Sequence, residues 1–100
     1  MDILQETTGF DWDVGNSRKN TDKHDVSQAE AEQVFFNSPL LVLPDGSHSE
    51  IELCFHALGK TNEGRRLHIT FTLRDAGQFI RMISARDMHR KERVIYEQAS

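Results

Sequence analysis

With 100 residues, 37% of them hydrophobic and eight aromatic, the chain reads as one domain, near the lower size at which a single core suffices. It has no apolar run near the ~20 residues that a membrane span needs. The net charge of −4 hides an asymmetry. Residues 1–58 hold three basic side chains against eleven acidic ones, a net of −8, and residues 59–100 hold nine against five, a net of +4. The C-terminal half can therefore face a polyanion while the whole chain stays acidic. The single Cys54 excludes an internal disulfide. Together with an N-terminus lacking a basic-then-apolar leader, it points to a cytoplasmic protein.

In chain order, Met1–Thr8 offers few anchors and reads as a loose terminus. Phe10-Asp11-Trp12-Asp13 alternates aromatic and acidic residues, which suits a short edge strand with its aromatics in the core. Val14–His24 is polar with weak helical character. Ser27 with Glu30 fits a capping box, and the spacing predicts a helix over Gln28–Phe36 with Ala31, Val34 and Phe35 on one face. Pro39 stops that helix. Leu40–Leu43 reads as a short buried strand, Pro44–Ser47 as a turn and Ile51–Leu58 as an alternating strand, with Gly59–Gly64 as the link to a central hairpin.

Gly64–Arg86 forms that hairpin and organises the rest. Leu67, Ile69, Phe71 and Leu73 alternate with Arg66, His68, Thr70, Thr72 and Arg74, a period of two that separates an apolar face from a polar one. Asp75-Ala76-Gly77 supplies a turn, with Gly77 at the position of positive φ. Phe79–Ala85 returns as a more continuously apolar strand. From Asp87, as N-cap, the pattern becomes helical, and Arg86, Arg90 and Arg93 share a face if Arg86 is counted with the helix. The order β-α-α-β-β-β-β-α predicts an α+β domain with a mostly antiparallel sheet.

A series of short segments then gains weight from its order and spacing. These are Phe10-x-Trp12-Asp13, Asn20-x-x-Lys23-His24-x-Val26-Ser27, Ala31 with Val34-Phe35, Pro39-Leu40, His48-Ser49-Glu50 and Phe55-x-Ala57-Leu58-Gly59. Phe71-Thr72-x-Arg74, Arg81-x-Ile83-Ser84-Ala85-Arg86 and Glu92 followed by Tyr96 complete it. Together they resemble the BrnT family, ribonuclease toxins of bacterial type II toxin–antitoxin modules, over nearly the whole chain as a single toxin domain. The resemblance implies a RelE-like fold: two N-terminal helices, a twisted antiparallel sheet and a C-terminal helix. It also implies an RNA endonuclease neutralised by a BrnA-type antitoxin, operator DNA met only through that antitoxin, and a toxin homodimer bridged by antitoxins.

Cleaving RNA without a metal needs a base for the 2′-hydroxyl proton, cations for the charge that develops on the phosphate, and an acid for the leaving 5′-oxygen. Arginine suits the phosphate because its planar fork donates bidentately and stays charged. Arg65 and Arg74 match family positions and are expected to be the catalytic phosphate contacts. Arg66, His68, Arg81, Arg86 and Arg90 are expected along the RNA. His56 is the expected acid–base residue because its pKa lies near neutrality, with Glu52 as the alternative base and Tyr96 as a candidate donor. His56 and His68 meet if the strand order is sequential. No metal or other cofactor is expected, since the five histidines form no His-x-x-x-His pair and no Gly-rich phosphate loop is present. One departure stands out: family members often carry arginine where this chain has Cys54. That substitution favours a second expectation, a catalytically weak or inactive co-repressor that grips an antitoxin. An unrelated small RNA-binding domain fits less well, because the hairpin lacks an aromatic stacking platform.

Overall fold

A computed structural model of the chain describes residues 7–12, 25–45, 54–74 and 77–99. The elements are β1 (Gly9–Asp11), α1 (Gln28–Val34), β2 (Leu41–Asp45), β3 (Cys54–Lys60), β4 (Arg66–Arg74), β5 (Phe79–Asp87) and α2 (Arg90–Ala99). They build one five-stranded sheet in the order β1-β5-β4-β3-β2. β1 runs parallel to β5, and every other pairing is antiparallel. The α+β class and the sequential order of β2 to β5 match the periodicities.

α1 forms where its cap says it should. The Ser27 hydroxyl accepts from the Glu30 N–H at 3.1 Å, and the Glu30 carboxylate accepts from the Ser27 N–H at 3.1 Å, which satisfies two first-turn donors reciprocally. The helix then lays Ala31, Val34 and Phe35 on the sheet. There they meet Ala57, Leu67, Ile69, Phe71, Met82 and Ala85 in the main core. Phe71 is fully buried at its centre, edge-on to Phe35 at 5.2 Å and stacked on Phe55 at 5.5 Å. Burying one such ring stabilises by about 2–3 kcal/mol. The Trp12 indole donates to Glu32 Oε2 at 2.7 Å and ties the exit of β1 to α1.

Arg65 fastens the same layer from below. Its Nε and NH2 donate to the two Asp87 oxygens at 2.7 and 3.0 Å, and NH1 donates to Glu30 at 3.1 Å and to the Asp25 carbonyl at 2.8 Å. One guanidinium thereby links the start of α1, the start of β4 and the end of β5. On the opposite face of the sheet Leu58, Met88, Tyr96 and Leu41 form a second, smaller cluster under α2, and the Tyr96 hydroxyl donates to the Pro39 carbonyl at 2.7 Å.

Several boundaries differ from the sequence reading. One N-terminal helix is present among the described residues, not two; the weakly helical stretch Val14–His24 and the segment 46–53, which includes Glu52, lie outside them. α1 ends at Val34, with Phe35 as its C-cap. Pro44 and Asp45 belong to β2 and not to a turn, because β2 is an edge strand and an edge tolerates a residue with no N–H to give. β5 runs on through Asp87, so Asp87 does not cap α2 and its carboxylate is held by Arg65. Arg86 likewise sits on the strand and outside the helix face expected for it. Thr8 donates its N–H to the Gln78 carbonyl at 2.7 Å and so is tied down. Gly77 has φ +89°, as the turn demands. No helix among the described residues is long and apolar enough to cross a membrane.

α1 and β3 touch where β3 has no side chain. A Cβ on Gly59 would lie 2.5 Å from Val34 Cγ1, and Val34 is a stiff, fully buried residue. Gly59→Ala is therefore expected to destabilise the fold by about 1–3 kcal/mol through overpacking, read as a lower urea midpoint with an unchanged slope.

Candidate functional site

The sheet face away from α1 collects the polar set of β4 together with its partners. Register places Leu43, His56, Thr70 and Ser84 in one row across β2 to β5, and Leu41, Leu58, His68 and Arg86 in the next. On the other side of the first row lie Cys54, Thr72 and Arg81, with Asp11 at the β1 end. A bulge makes this set possible. Thr70 pairs with Ser84 but Phe71 pairs with Met82, so Ile83 is an extra residue on β5. Arg81 and Arg86 are an odd number of positions apart and would otherwise point to opposite faces; the bulge returns them to one.

At the centre of the face the His56 and His68 rings lie 4.7 Å apart, tilted by 40°. His56 Nδ1 and Thr70 Oγ1 share a hydrogen bond at 3.3 Å. When Nδ1 carries the proton and donates to Thr70, Nε2 is left as a proton acceptor. His68 is only 8% exposed. Burial, aided by the nearby Arg86 charge, lowers its pKa to about 4, so it is neutral at physiological pH. Its Nδ1 is buried without a hydrogen-bond partner among the described residues, and its Nε2 lies 3.7 Å from Glu92 Oε2, beyond hydrogen-bond reach.

Glu92 joins this face to α2. It accepts both arms of the Arg86 fork at 2.8 and 3.0 Å and the His89 N–H at 2.8 Å. Burial works against its charge, but the Arg86 hydrogen bond and the His89 N–H outweigh it and hold the carboxyl at about 2. The face thus offers imidazoles, hydroxyls and guanidiniums together, a set able to move a proton beside a bound phosphate. No group of three or more His, Cys, Asp or Glu side chains suited to a metal ion occurs among the described residues.

A family model described as ribonuclease toxin, BrnT, of type II toxin-antitoxin system matches residues 12–92. The chain belongs to this family. The crystal structure of the Brucella abortus ribonuclease toxin BrnT has the same fold, with a TM-score of 0.64 over 84% of this chain and 100% of that one, at 20% identity. Among curated proteins there is no match.

Within this BrnT-family chain the expected site residues divide. His56, His68, Arg66, Arg74, Arg81 and Arg86 share the one face. Arg86 and Arg66 are ion-paired there to Glu92 and Glu97 of α2, whereas Arg81 and Arg74 lie toward the end of the sheet away from that helix. Arg65 stands apart, on the α1 side, with four of its N–H donors held by Asp25, Glu30 and Asp87. Arg90 is exposed on α2. Tyr96 is 2% exposed and anchors α2. Thr70, Ser84 and Glu92 join the site only in the structure. Alternation places Thr70 on the polar face, but nothing local in the sequence marks Ser84 beside it or Glu92 as the partner of Arg86.

The buried His68 makes stability pH-dependent. Unfolded, it protonates near 6.5; folded, near 4. Between those values the unfolded state holds the extra proton, so this contribution is full above about pH 6.5 and falls as the pH drops toward 4. The depressed Glu92 carboxyl extends the loss below its ordinary 4.5. A histidine NMR titration is expected to place the His68 midpoint near 4, with thermal midpoints that decline from about pH 7 to about 4.5. His68→Asn is expected to flatten the upper part of that decline.

Proposed function

We propose that this chain is a metal-independent RNA endonuclease, the toxin of its module, neutralised by a BrnA-type antitoxin that alone contacts operator DNA. The observation that carries this reading is the His56–His68 pair set among Thr70, Arg81 and Arg74 on one sheet face. His56 Nε2 takes the 2′-hydroxyl proton while Nδ1–H donates to Thr70. The 2′-oxygen then attacks phosphorus, the bond to the 5′-oxygen breaks, and that oxygen takes a proton from a general acid, leaving a cyclic phosphate and a 5′-hydroxyl. Arg81 and Arg74 meet the charge that builds on the phosphate oxygens. The cations the face supplies support a route without a metal. In this reading Arg65 acts as a structural clamp, and Arg86 and Arg66 hold α2 in place at the margin of the RNA path.

A second reading rests on Cys54. It pairs with Thr72 in the row that Arg81 completes, so an arginine there would put another cation on the candidate face. Its replacement by a buried thiol suits a weakly active or inactive co-repressor.

Growth after inducing this gene alone, and then with its neighbouring antitoxin gene, separates the two. The toxin reading expects arrest that the neighbour relieves. Arg81→Ala and Arg74→Ala should each slow RNA cleavage by about 100-fold, on the order of 2–3 kcal/mol, and His56→Ala by at least as much; wild-type cleavage by all three would sink the assignment. If the wild type leaves growth unaffected, Cys54→Arg is expected to restore cleavage.

A further inference from the structure

α2 has both of its acids engaged with arginines of the sheet: Glu92 holds Arg86, and Glu97, itself exposed, holds Arg66. Its bases, Arg90, Lys91 and Arg93, are exposed and make no ion pair among the described residues. Among them lie Val94 and Ile95, each 50% exposed. Two half-bare aliphatic residues on α2, with Arg90 and Lys91 one turn before them, are not needed by the core, because Tyr96 and Met88 already anchor this segment from the inside.

We propose that the outer face of α2 is a docking site for an acidic amphipathic segment of the antitoxin, whose aliphatic side chains cover Val94 and Ile95 and whose carboxylates meet Arg90 and Lys91, one turn before them on the same face. The charge is complementary only to an acidic partner. The aliphatic pair favours protein over RNA, since phosphate contacts gain nothing from exposed apolar surface. A ten-residue helix spans about 15 Å and matches a partner segment of similar length, so this face is an anchor within a larger interface. The inference rests on the antitoxin partnership of the family and is independent of the cleavage chemistry.

The test titrates the purified antitoxin encoded beside this gene into the full-length chain by calorimetry, at low and at high salt. Val94→Ser/Ile95→Ser and Arg90→Glu/Lys91→Glu are each expected to weaken binding by at least ~10-fold. The charge reversal is also expected to flatten the salt dependence. Affinities within ~2-fold of wild type for both variants overturn the proposal. So does unchanged antitoxin affinity accompanied by lost RNA binding, or by lost self-association, which would give the face to RNA or to a second copy. If the aliphatic pair of changes lowers the thermal midpoint, the charge reversal decides alone, because both of its positions are exposed. Should the chain cleave no RNA, the affinity comparison still stands, so failure of the enzymatic reading is seen separately.

Discussion

β4 runs between β3 and β5 for nine residues, and its alternation divides the molecule. Leu67, Ile69 and Phe71 go to the side of α1 and vanish from solvent. Arg66, His68, Thr70 and Thr72 go to the other. Since cross-strand neighbours share a face, this single strand fixes where Ala57 and Ala85 pack and where His56 and Ser84 stand. A slip of one residue would bury the cations and expose the core, which is why the register is so strongly specified. The bulge at Ile83 relaxes the pattern, and it lets β5 contribute an arginine on each side of the His56 row.

The second organising force is electrostatic. A small domain with little core to spare holds two of its ionisable groups, His68 and Glu92, in shielded positions. The imidazole answers by staying neutral and the carboxylate by gathering three hydrogen bonds. Arg65 and Arg86 play matching parts on opposite faces: each closes a fork on a carboxylate and fastens a helix to the end of β5. Arginine thus fastens both helices to the sheet.

Much of this was legible in the residues. The Ser27–Glu30 box, the buried face of α1, the β4 alternation and the positive φ of Gly77 follow from local spacing, and His56 meets His68 because the strand order is sequential. What escaped was long-range. Arg65 reads as a phosphate ligand because it matches a family position, and its partners Glu30 and Asp87 lie 35 and 22 residues away, beyond the reach of local spacing. The bulge carries no composition signal, so the shared face of Arg81 and Arg86 could not be read from parity. Asp87 resembled an N-cap because Asp is favoured there, but strand pairing with Leu67 extended β5 through it.

The sheet also has a kinetic order built into its wiring. β2 to β5 are successive neighbours, joined by short-range closures that form early. β1 is different: Thr8 and Gln78, which bond where it meets β5, are 70 residues apart. Closing so wide a loop in an unfolded chain costs roughly 2 kcal/mol more than closing a ten-residue hairpin. The cost shrinks once the intervening strands have collapsed. β1 thus depends on a partner strand that follows it by about 70 residues. Until β5 has formed, β1 has no strand to pair with, although α1 and its C-terminal aromatics already offer Phe10 and Trp12 their side-chain partners.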